Sequence, residues 1–525
     1  MDDASITYLV LGAAVALFVW NRLPVGVVAI GAALALYATG VISAEEAFSG
    51  FGDQTVVFIA ALFIVSAGLE AADLTSWAGQ RLTGAAGGGS GRLVVALLTM
   101  TAIATAIITV NGAVAAILPM AVVIAMRIGR SPSELLIPVA FAGHAGSLLA
   151  LTGTPVNIII ADAAADAGSG RFGFFEFALA GVPLTLLSVV LLVVAGPRLL
   201  PKRTPRVMPA DFSDHARTLL AQYGDAAGDA GSRGELYTRA SGVAEVVIPP
   251  RSELIGDEAF PGMVTESGDL VVLAVHRQGE DTGPRPVTLA AGDTLLLEGS
   301  WQHLDEHLGD PEVLVVDEPA AIRRQAAPLG RDAWLTTAVV VAMIVLLAGG
   351  LVPAAVAGVL AAGALIVGGV LTADEAHRSI AWSTIFLIAG MLPVATAIRT
   401  TGAGDDVAGA LVGVVEGGGP YALLIGLFLI TTVFSQVISN TATALVMIPI
   451  AVAAAGELEI SPAPVLMSLA VASAGAFLTP IATPANLMVQ EPGGYRFGDY
   501  WRLGLPMLGL FFVIAVFYVP LIWSF

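Results

Sequence analysis

Cysteine is absent from this 525-residue chain, and charged side chains make up only 12% of it. The first absence removes disulfides, thiolate metal sites and cysteine nucleophiles together, which leaves any chemistry to oxygens, amides and the backbone. The second leaves too little charge to cover a long water-facing surface, since soluble domains carry about 25%. Positive charge is scarcer still: 23 Lys and Arg stand against 42 Asp and Glu, a formal net charge of −19. That balance argues against nucleic acid as a partner, which would need a basic face to neutralise its phosphates. What is abundant is apolar sequence, 56% of residues with a mean hydropathy of +0.85. The chain reads as an all-α polytopic membrane protein in contact with lipid. With no cofactor motif, metal cluster or nucleophile–base constellation in the sequence, an enzyme is not expected.

The first apolar run, Ile6 to Trp20, follows Asp2 and Asp3 rather than a basic stretch, so it reads as a retained membrane helix and not a cleaved signal. Further runs cover Val25 to Ile42, Thr55 to Leu69, Leu93 to Ile108, Ala113 to Met126, Leu135 to Ala150 and Leu179 to Leu200. Several are near the roughly 20 residues that a bilayer demands. From Pro201 to Arg331 the chain turns rich in Asp, Glu, Arg and His and has no segment able to span, which marks a soluble insert. Runs resume at Trp334 to Ala348, Val352 to Leu371, Thr384 to Ala397, Tyr421 to Ile438, Ala442 to Ala455, Val465 to Leu478 and Leu503 to Trp523. The expected domains are a first transmembrane repeat at 1–200, an insert at 201–331 and a second transmembrane repeat at 332–525.

The two apolar halves repeat each other. Gly40-Val41-Ile42-Ser43-Ala44-Glu45-Glu46-Ala47 matches Gly369-Val370-Leu371-Thr372-Ala373-Asp374-Glu375-Ala376, an offset of 329 (369 − 40). The same offset pairs Thr55 with Thr384, and Gly153-Thr154-Pro155-Val156-Asn157 with Ala482-Thr483-Pro484-Ala485-Asn486; one insertion makes it 330 at Pro119 and Pro449. Chance does not hold one register over more than a hundred residues. In each half the fourth and fifth runs are separated by a few polar residues, so they are expected as a re-entrant hairpin. That leaves five crossings per half, and an odd number inverts the second copy. Under this count Arg22, Arg81, Arg92, Arg127, Arg130, Lys202 and Arg203 fall on one face and Glu45, Glu46 and Asp53 on the other. The insert is then expected in the cytoplasm and the chain in the plasma membrane.

Four small polar clusters interrupt the apolar runs. One is Thr105, Thr109 and Asn111 with Gly112 at the hairpin tip, and its mate is Ser435, Ser439, Asn440 and Thr441. The other two are the Thr-Pro breaks at 153–157 and 482–486. Unwound backbone at membrane depth survives only where protein, ions or water complete its hydrogen bonds. A broken helix offers free carbonyls beside Thr, Ser and Asn oxygens, which suit Na⁺, while half-helix N-termini aim amides at an anion. Thr105 and Thr109 are four apart, as are Ser435 and Ser439, so each pair leads along one helical face to the tip. The plain alternative is that such hydroxyls back-bond to carbonyls or pack helices.

Ser439-Asn440-Thr441 followed by Ala442-Thr443 and Pro449, with the Ala-Thr-Pro-Ala-Asn break, resembles the Ser-Asn-Thr signature and paired helix-break loops of the divalent anion:sodium symporters (DASS family). The resemblance covers about residues 6 to 200 and 333 to 525. It implies an elevator-type homodimer that moves di- and tricarboxylates or sulfate with Na⁺. By likeness, one sodium site would use Thr105, Thr109, Asn111 and Gly153, and the other Ser435, the Ile438 carbonyl, Asn440 and Ala482. Substrate would contact Asn111, Thr154, Ser439, Asn440, Thr441 and Thr483. The first half departs from the pattern: Thr109-Val110-Asn111 stands where the family has Ser-Asn-Thr. The number of ions, the anion, and proton in place of sodium coupling therefore stay open.

His144, within about ten residues of the first break, is an ionisable group inside an apolar run and so a functional candidate by default, to contact an anion or carry a proton. Its alternative is a neutral imidazole bonded in the scaffold, and its repeat mate, Ser473, cannot titrate. Gln436 reads as a packing or hydrogen-bonding residue. The insert reads as a small α/β module with strands at Val243 to Pro249, Leu270 to His276, Asp293 to Gly299 and Glu312 to Val316 and a helix at Trp301 to Leu308. Over residues 235 to 318 it is similar to the C-terminal ligand-binding domain of potassium-conductance regulators (TrkA-C, or RCK-C). That implies dimerisation and a nucleotide such as cyclic di-AMP, with Arg251 as a phosphate contact, or else as a solvated loop arginine. The stretch Ala210 to Arg239 is expected to be mobile. Taken together, the expected function is sodium-coupled symport of a small divalent oxyanion under regulation by the insert. A regulated anion channel and a proton-coupled anion transporter are the alternatives.

Overall fold

A computed structural model describes residues 2–20, 22–72, 90–203, 241–265, 267–277, 280–283, 285–307, 313–315, 331–404, 409, 413 and 419–525. Arg81 and the Ala210 to Arg239 stretch lie outside the described residues. The chain divides into two compact units, Met1–Pro209 with Arg331–Phe525, and Ala210–Gly330.

The larger unit is helical, and its helices recur in the same order. The first set is α1 (Asp3–Trp20), α2 (Val25–Ala38), α3 (Ala44–Ser49), α4 (Gln54–Ala71), α5 (Ser90–Ile107), α6 (Val110–Arg127), α7 (Leu136–Gly146), α8 (Pro155–Asp166) and α9 (Ala178–Leu199). With α10 (Trp301–His307) in the smaller unit, the second set is α11 (Arg331–Ala348), α12 (Ala354–Val367), α13 (Ala373–Ser379), α14 (Trp382–Thr400), α15 (Gly419–Ser435), α16 (Asn440–Glu457), α17 (Pro462–Ser473), α18 (Pro484–Gln490) and α19 (Tyr500–Val513). The last continues through a π-helical turn, Ile514–Tyr518, to Val519–Ile522. Among the described residues, six helical segments are long and apolar enough to cross a membrane. Side chains such as Leu186, Val190 and Val194 on α9 are exposed, as lipid contact requires. The protein is a multi-pass membrane protein.

The repeated octapeptide shows why the register is legible. Gly40 and Gly369 both take positive φ, +81° and +76°, which ends the preceding helix. Ser43 and Thr372 then form capping boxes with Glu46 and Glu375. Small residues on α2 (Ala29, Ala32, Ala33) let it pack closely on α14, while α4 packs in the same way on α12. Each repeat thus buries its second and fourth helices on the fourth and second of the other. The fourth and fifth apolar runs of each half are two helices packed against each other, α5 with α6 and α15 with α16, joined at the polar clusters.

The smaller unit has strands β1 (Ser241–Val247), β2 (Glu258–Ala259), β3 (Leu270–Arg277), β4 (Glu280–Asp281), β5 (Val287–Thr288), β6 (Thr294–Ser300) and β7 (Leu314–Val315). Five form a sheet in the order β4-β3-β6-β1-β7, with β2 and β5 apart. The short β2, β4 and β5 carry no sequence signal of their own. Val243, Val246, Leu297, Trp301 and Leu304 fill its core. Arg251 lies exposed in the turn after β1. Asp293 is buried and accepts from Arg277 Nε (2.8 Å), Arg277 Nη2 (2.6 Å) and the Ala290 amide (2.8 Å). The guanidinium holds its carboxyl below the ordinary carboxylate range. A lowered value in the folded state means stability present above that range and lost as pH falls through the folded value. Asp293→Asn is expected to speed amide exchange across 287–300 severalfold at pH 7, read by mass spectrometry, while at pH 3 the difference from the parent narrows.

Candidate functional site

The hairpins end on capped helix starts. Thr109 Oγ1 accepts from the Gly112 amide (3.4 Å) and opens α6; Ser439 Oγ accepts from the Ala442 amide (3.3 Å) and opens α16. The breaks end likewise. Pro155 and Pro484 hold the first helical position, where no amide is needed, and the Thr154 and Thr483 hydroxyls accept from the Val156 and Asn486 amides.

What holds the breaks open is an asparagine in each repeat. Asn157 Nδ2 donates to the carbonyls of Ser147 (2.8 Å) and Ala150 (3.0 Å). Asn486 Nδ2 donates to those of Ala476 (2.8 Å) and Thr479 (3.2 Å), each partner displaced by 329. Both asparagines are fully buried. The loops are also tied to the hairpins. Thr152 donates to the Ala106 carbonyl (2.9 Å), and Thr479 to that of Gln436 (3.3 Å), the mate of Ala106 at an offset of 330. Gln436 adds its own bonds, Nε2 to the Gly475 carbonyl (3.1 Å) and Oε1 from the Leu478 amide (2.9 Å). At Gly153 a Cβ would lie 2.2 Å from the Ser147 carbonyl oxygen, so the first break closes only with glycine there.

Both tips and both breaks face one cavity of about 270 Å³. Thr109, Val110, Asn111, Gly153, Thr154 and Pro155 line it from the first repeat, and Ser439, Asn440, Thr441, Ala482, Thr483 and Pro484 from the second. The starts of α6, α8, α16 and α18 therefore meet, and with them the positive ends of four helices. His144 and Ser473 line it too, with Ser383 and Thr384 at the start of α14. Among the described residues lining it, His144 is the only one that ionises. Its Nε2 lies 3.1 Å from Thr483 Oγ1, a bond between the two repeats.

A family description, the citrate transporters (CitMHS), matches residues 15–472 and 416–525. The chain belongs to the citrate transporter family. It is 28% identical to the uncharacterized transporter YfbS of Escherichia coli, over 98% of each chain. It is also 28% identical to sodium/sulfate cotransporter 1 of Chlamydomonas reinhardtii, over 52% of this chain and 32% of that one. In fold it resembles the crystal structure of the YdaH transporter of Alcanivorax borkumensis, with a TM-score of 0.51 at 14% identity over 97% and 98% of the two chains.

In this citrate transporter family member the structure brings most of the sequence candidates to the cavity wall: Thr109, Asn111, His144, Gly153, Thr154, Ser439, Asn440, Thr441, Ala482 and Thr483. Thr105, Ser435 and Ile438 are buried and outside that wall. Two of them differ sharply. Thr101 and Thr105 donate to the Leu97 (2.8 Å) and Thr101 (2.9 Å) carbonyls, whereas their mates, Thr431 and Ser435, have buried hydroxyls with no hydrogen-bond partner among the described residues. Asn440 Oδ1 and Thr443 Oγ1 are likewise buried without a partner among the described residues. Arg251 belongs to the other unit. The sequence reading missed the clamping roles of Asn157 and Asn486, although their shared offset was the available signal. It also missed Glu70, whose Oε1 would lie 2.3 Å from a Cβ on Gly112 at the first tip; a single carboxylate ending α4 carries no motif.

Proposed function

We propose that the protein is a secondary active transporter that couples Na⁺ to movement of a small oxyanion, a di- or tricarboxylate or sulfate. The observation that carries this is the meeting of four helix starts, with Thr, Ser and Asn groups and no carboxylate among the described lining residues, around one cavity. Amides and hydroxyls there favour an anion, and a family named for citrate transport and a relative named for sodium/sulfate cotransport agree with that class. The anion contacts are Asn111, Thr154, Ser439, Asn440, Thr441 and Thr483. Buried oxygens without partners are costly unless something binds them, so the sodium site best supported is at Ser435, Asn440, the Ile438 carbonyl and Ala482, with Thr431 and Thr443 at hand. The corresponding group in the first repeat, Thr105, Thr109, Asn111 and Gly153, is the other ion site; Thr105 gives its proton to the Thr101 carbonyl and keeps its oxygen lone pairs for a cation. Two inverted repeats with re-entrant hairpins in the plasma membrane, paired in a homodimer, would carry the cavity across by an elevator motion. The insert lies in the cytoplasm and regulates; it is a TrkA-C-like module whose ligand is a nucleotide such as a cyclic dinucleotide.

The test is uptake of labelled citrate, succinate and sulfate into proteoliposomes with and without a Na⁺ gradient. Sodium-dependent accumulation of one of them is expected, and sodium-indifferent, electrodiffusive flux would refute symport. In the same assay Ser435→Ala and Thr105→Ala are each expected to raise the Na⁺ concentration for half-maximal uptake about threefold or more, since each removes a hydroxyl oxygen from a proposed ion site. An unchanged Na⁺ dependence in either variant would take that hydroxyl out of its site.

A further inference from the structure

At one and the same place in the two repeats, 329 apart, stand His144 and Ser473, and both line the cavity. Only His144 can change its charge. Its ring is 2% exposed and edge-on to Phe477, with centroids 5.7 Å apart. Nε2 lies 3.1 Å from Thr483 Oγ1, which also accepts from the Asn486 amide at 3.3 Å. A hydroxyl has one proton to give and two lone pairs. When the imidazole accepts at Nε2, the single proton of Thr483 points at His144. When Nε2 carries a proton, it donates to the second lone pair of Thr483, and the hydroxyl proton turns to the cavity. Starting from the neutral tautomer with its proton on Nδ1, one protonation thus adds a positive charge and a hydrogen-bond donor at the same wall.

We propose that His144 and Thr483 form a proton-linked switch in which binding of a small oxyanion takes up one proton on His144 and turns the Thr483 hydroxyl toward the anion. The switch rests on the reading of the cavity as an oxyanion site. The proton comes from water and stays on the imidazole while the anion is bound. Linkage is reciprocal, so whatever the anion does to proton affinity the proton does to anion affinity.

The ionisable residues on the elements packed against α7 are Arg92 on α5, Arg127 on α6, Arg198 on α9 and Glu134 in the turn before it; α18 has none. Thr105 and Val114 face Gly143, and Thr185 bonds the Ala145 carbonyl. Each arginine is thirteen residues beyond the one at that level, about 20 Å along its helix, and Glu134 is ten residues from His144, about 15 Å. Glu70, whose Oε1 would lie 2.3 Å from a Cβ on Gly112 at the first hairpin tip, is a further group able to titrate.

The experiment is sulfate uptake into proteoliposomes of the full chain, with equal pH on both sides and a Na⁺ gradient, between pH 6 and 8. Sulfate stays a dianion over that range, so any trend belongs to the protein. KM is expected to rise with pH by up to about tenfold per unit. The slope should vanish in His144→Gln, which retains polar atoms but cannot titrate, and persist in Thr483→Ser and in Glu70→Gln. A flat KM in the parent, a slope that survives His144→Gln, or one that disappears in Glu70→Gln overturns the switch. Should His144→Gln not fold, a pH dye in weakly buffered solution decides: the unmodified protein takes up about one proton per sulfate bound near pH 7.5, and no uptake overturns the proposal. Absence of saturable uptake of both sulfate and citrate at every pH refutes the oxyanion reading itself and the switch with it.

Discussion

Asn440→Ala is expected to lower sodium-driven anion uptake about a hundredfold or more while leaving the folded protein intact. Asn440 opens α16 at the cavity wall, and its Oδ1 is buried without a hydrogen-bond partner among the described residues. An amide in that position can give its oxygen to a cation and its NH₂ to an anion at once. A hydrogen bond to a charged group contributes about 1.5–3 kcal/mol, and each 1.4 kcal/mol is tenfold in affinity, so losing even one such contact at its upper value accounts for the effect. The cost to folding is small, because alanine is a good helix former at a helix start whose cap, Ser439, is untouched. Uptake near the parental rate, from variant protein that elutes as a single folded species, would take Asn440 out of the site.

Asn157→Leu and Asn486→Leu are expected to fail differently, by loss of the fold around the breaks. Each asparagine bridges two carbonyls of its own loop, and leucine fills similar space while taking that donor away. The Ala150 carbonyl keeps the Gly153 amide (3.2 Å) and Thr479 is partly exposed, which leaves the buried Ser147 and Ala476 oxygens to lose their donor. An orphaned buried acceptor costs about 1–3 kcal/mol, so each variant should lose about that much, seen as a melting temperature lower by several degrees in detergent. Uptake falls with it, since Thr154 and Thr483 face the cavity only while their loops are held. Asn486→Leu should be the milder in its loop, because Gln436 bonds the same segment through Gly475 and Leu478. Among the described residues, the first break is hydrogen-bonded to its hairpin through Thr152. Unchanged melting in both variants would show that the breaks stand without their clamps.

Much of this was written in the order of residues. Apolar runs, the 329-residue offset, and Thr-Pro after a small residue in both halves fixed where helices stop and restart. Those are local matters: a Gly with positive φ, a Ser or Thr cap and a Pro without an amide act on their own neighbours, and lipid forces every backbone group between them to be paired. The strands of the insert, at Ser241–Val247, Leu270–Arg277 and Thr294–Ser300, were likewise visible in β-branched and leucine runs.

Sequence spacing alone could not tell Thr105 from Ser435. Both stand at the same place in their repeats and both have a helical carbonyl four residues back, yet one hydroxyl bonds it and the other has no partner among the described residues. That choice belongs to a rotamer, and a rotamer answers to the packing of neighbouring helices. Nor did any motif join His144 to Thr483, 339 residues away. Their bond exists because the two repeats fold against each other and bring both broken segments to one cavity, a relation that only the assembled fold creates.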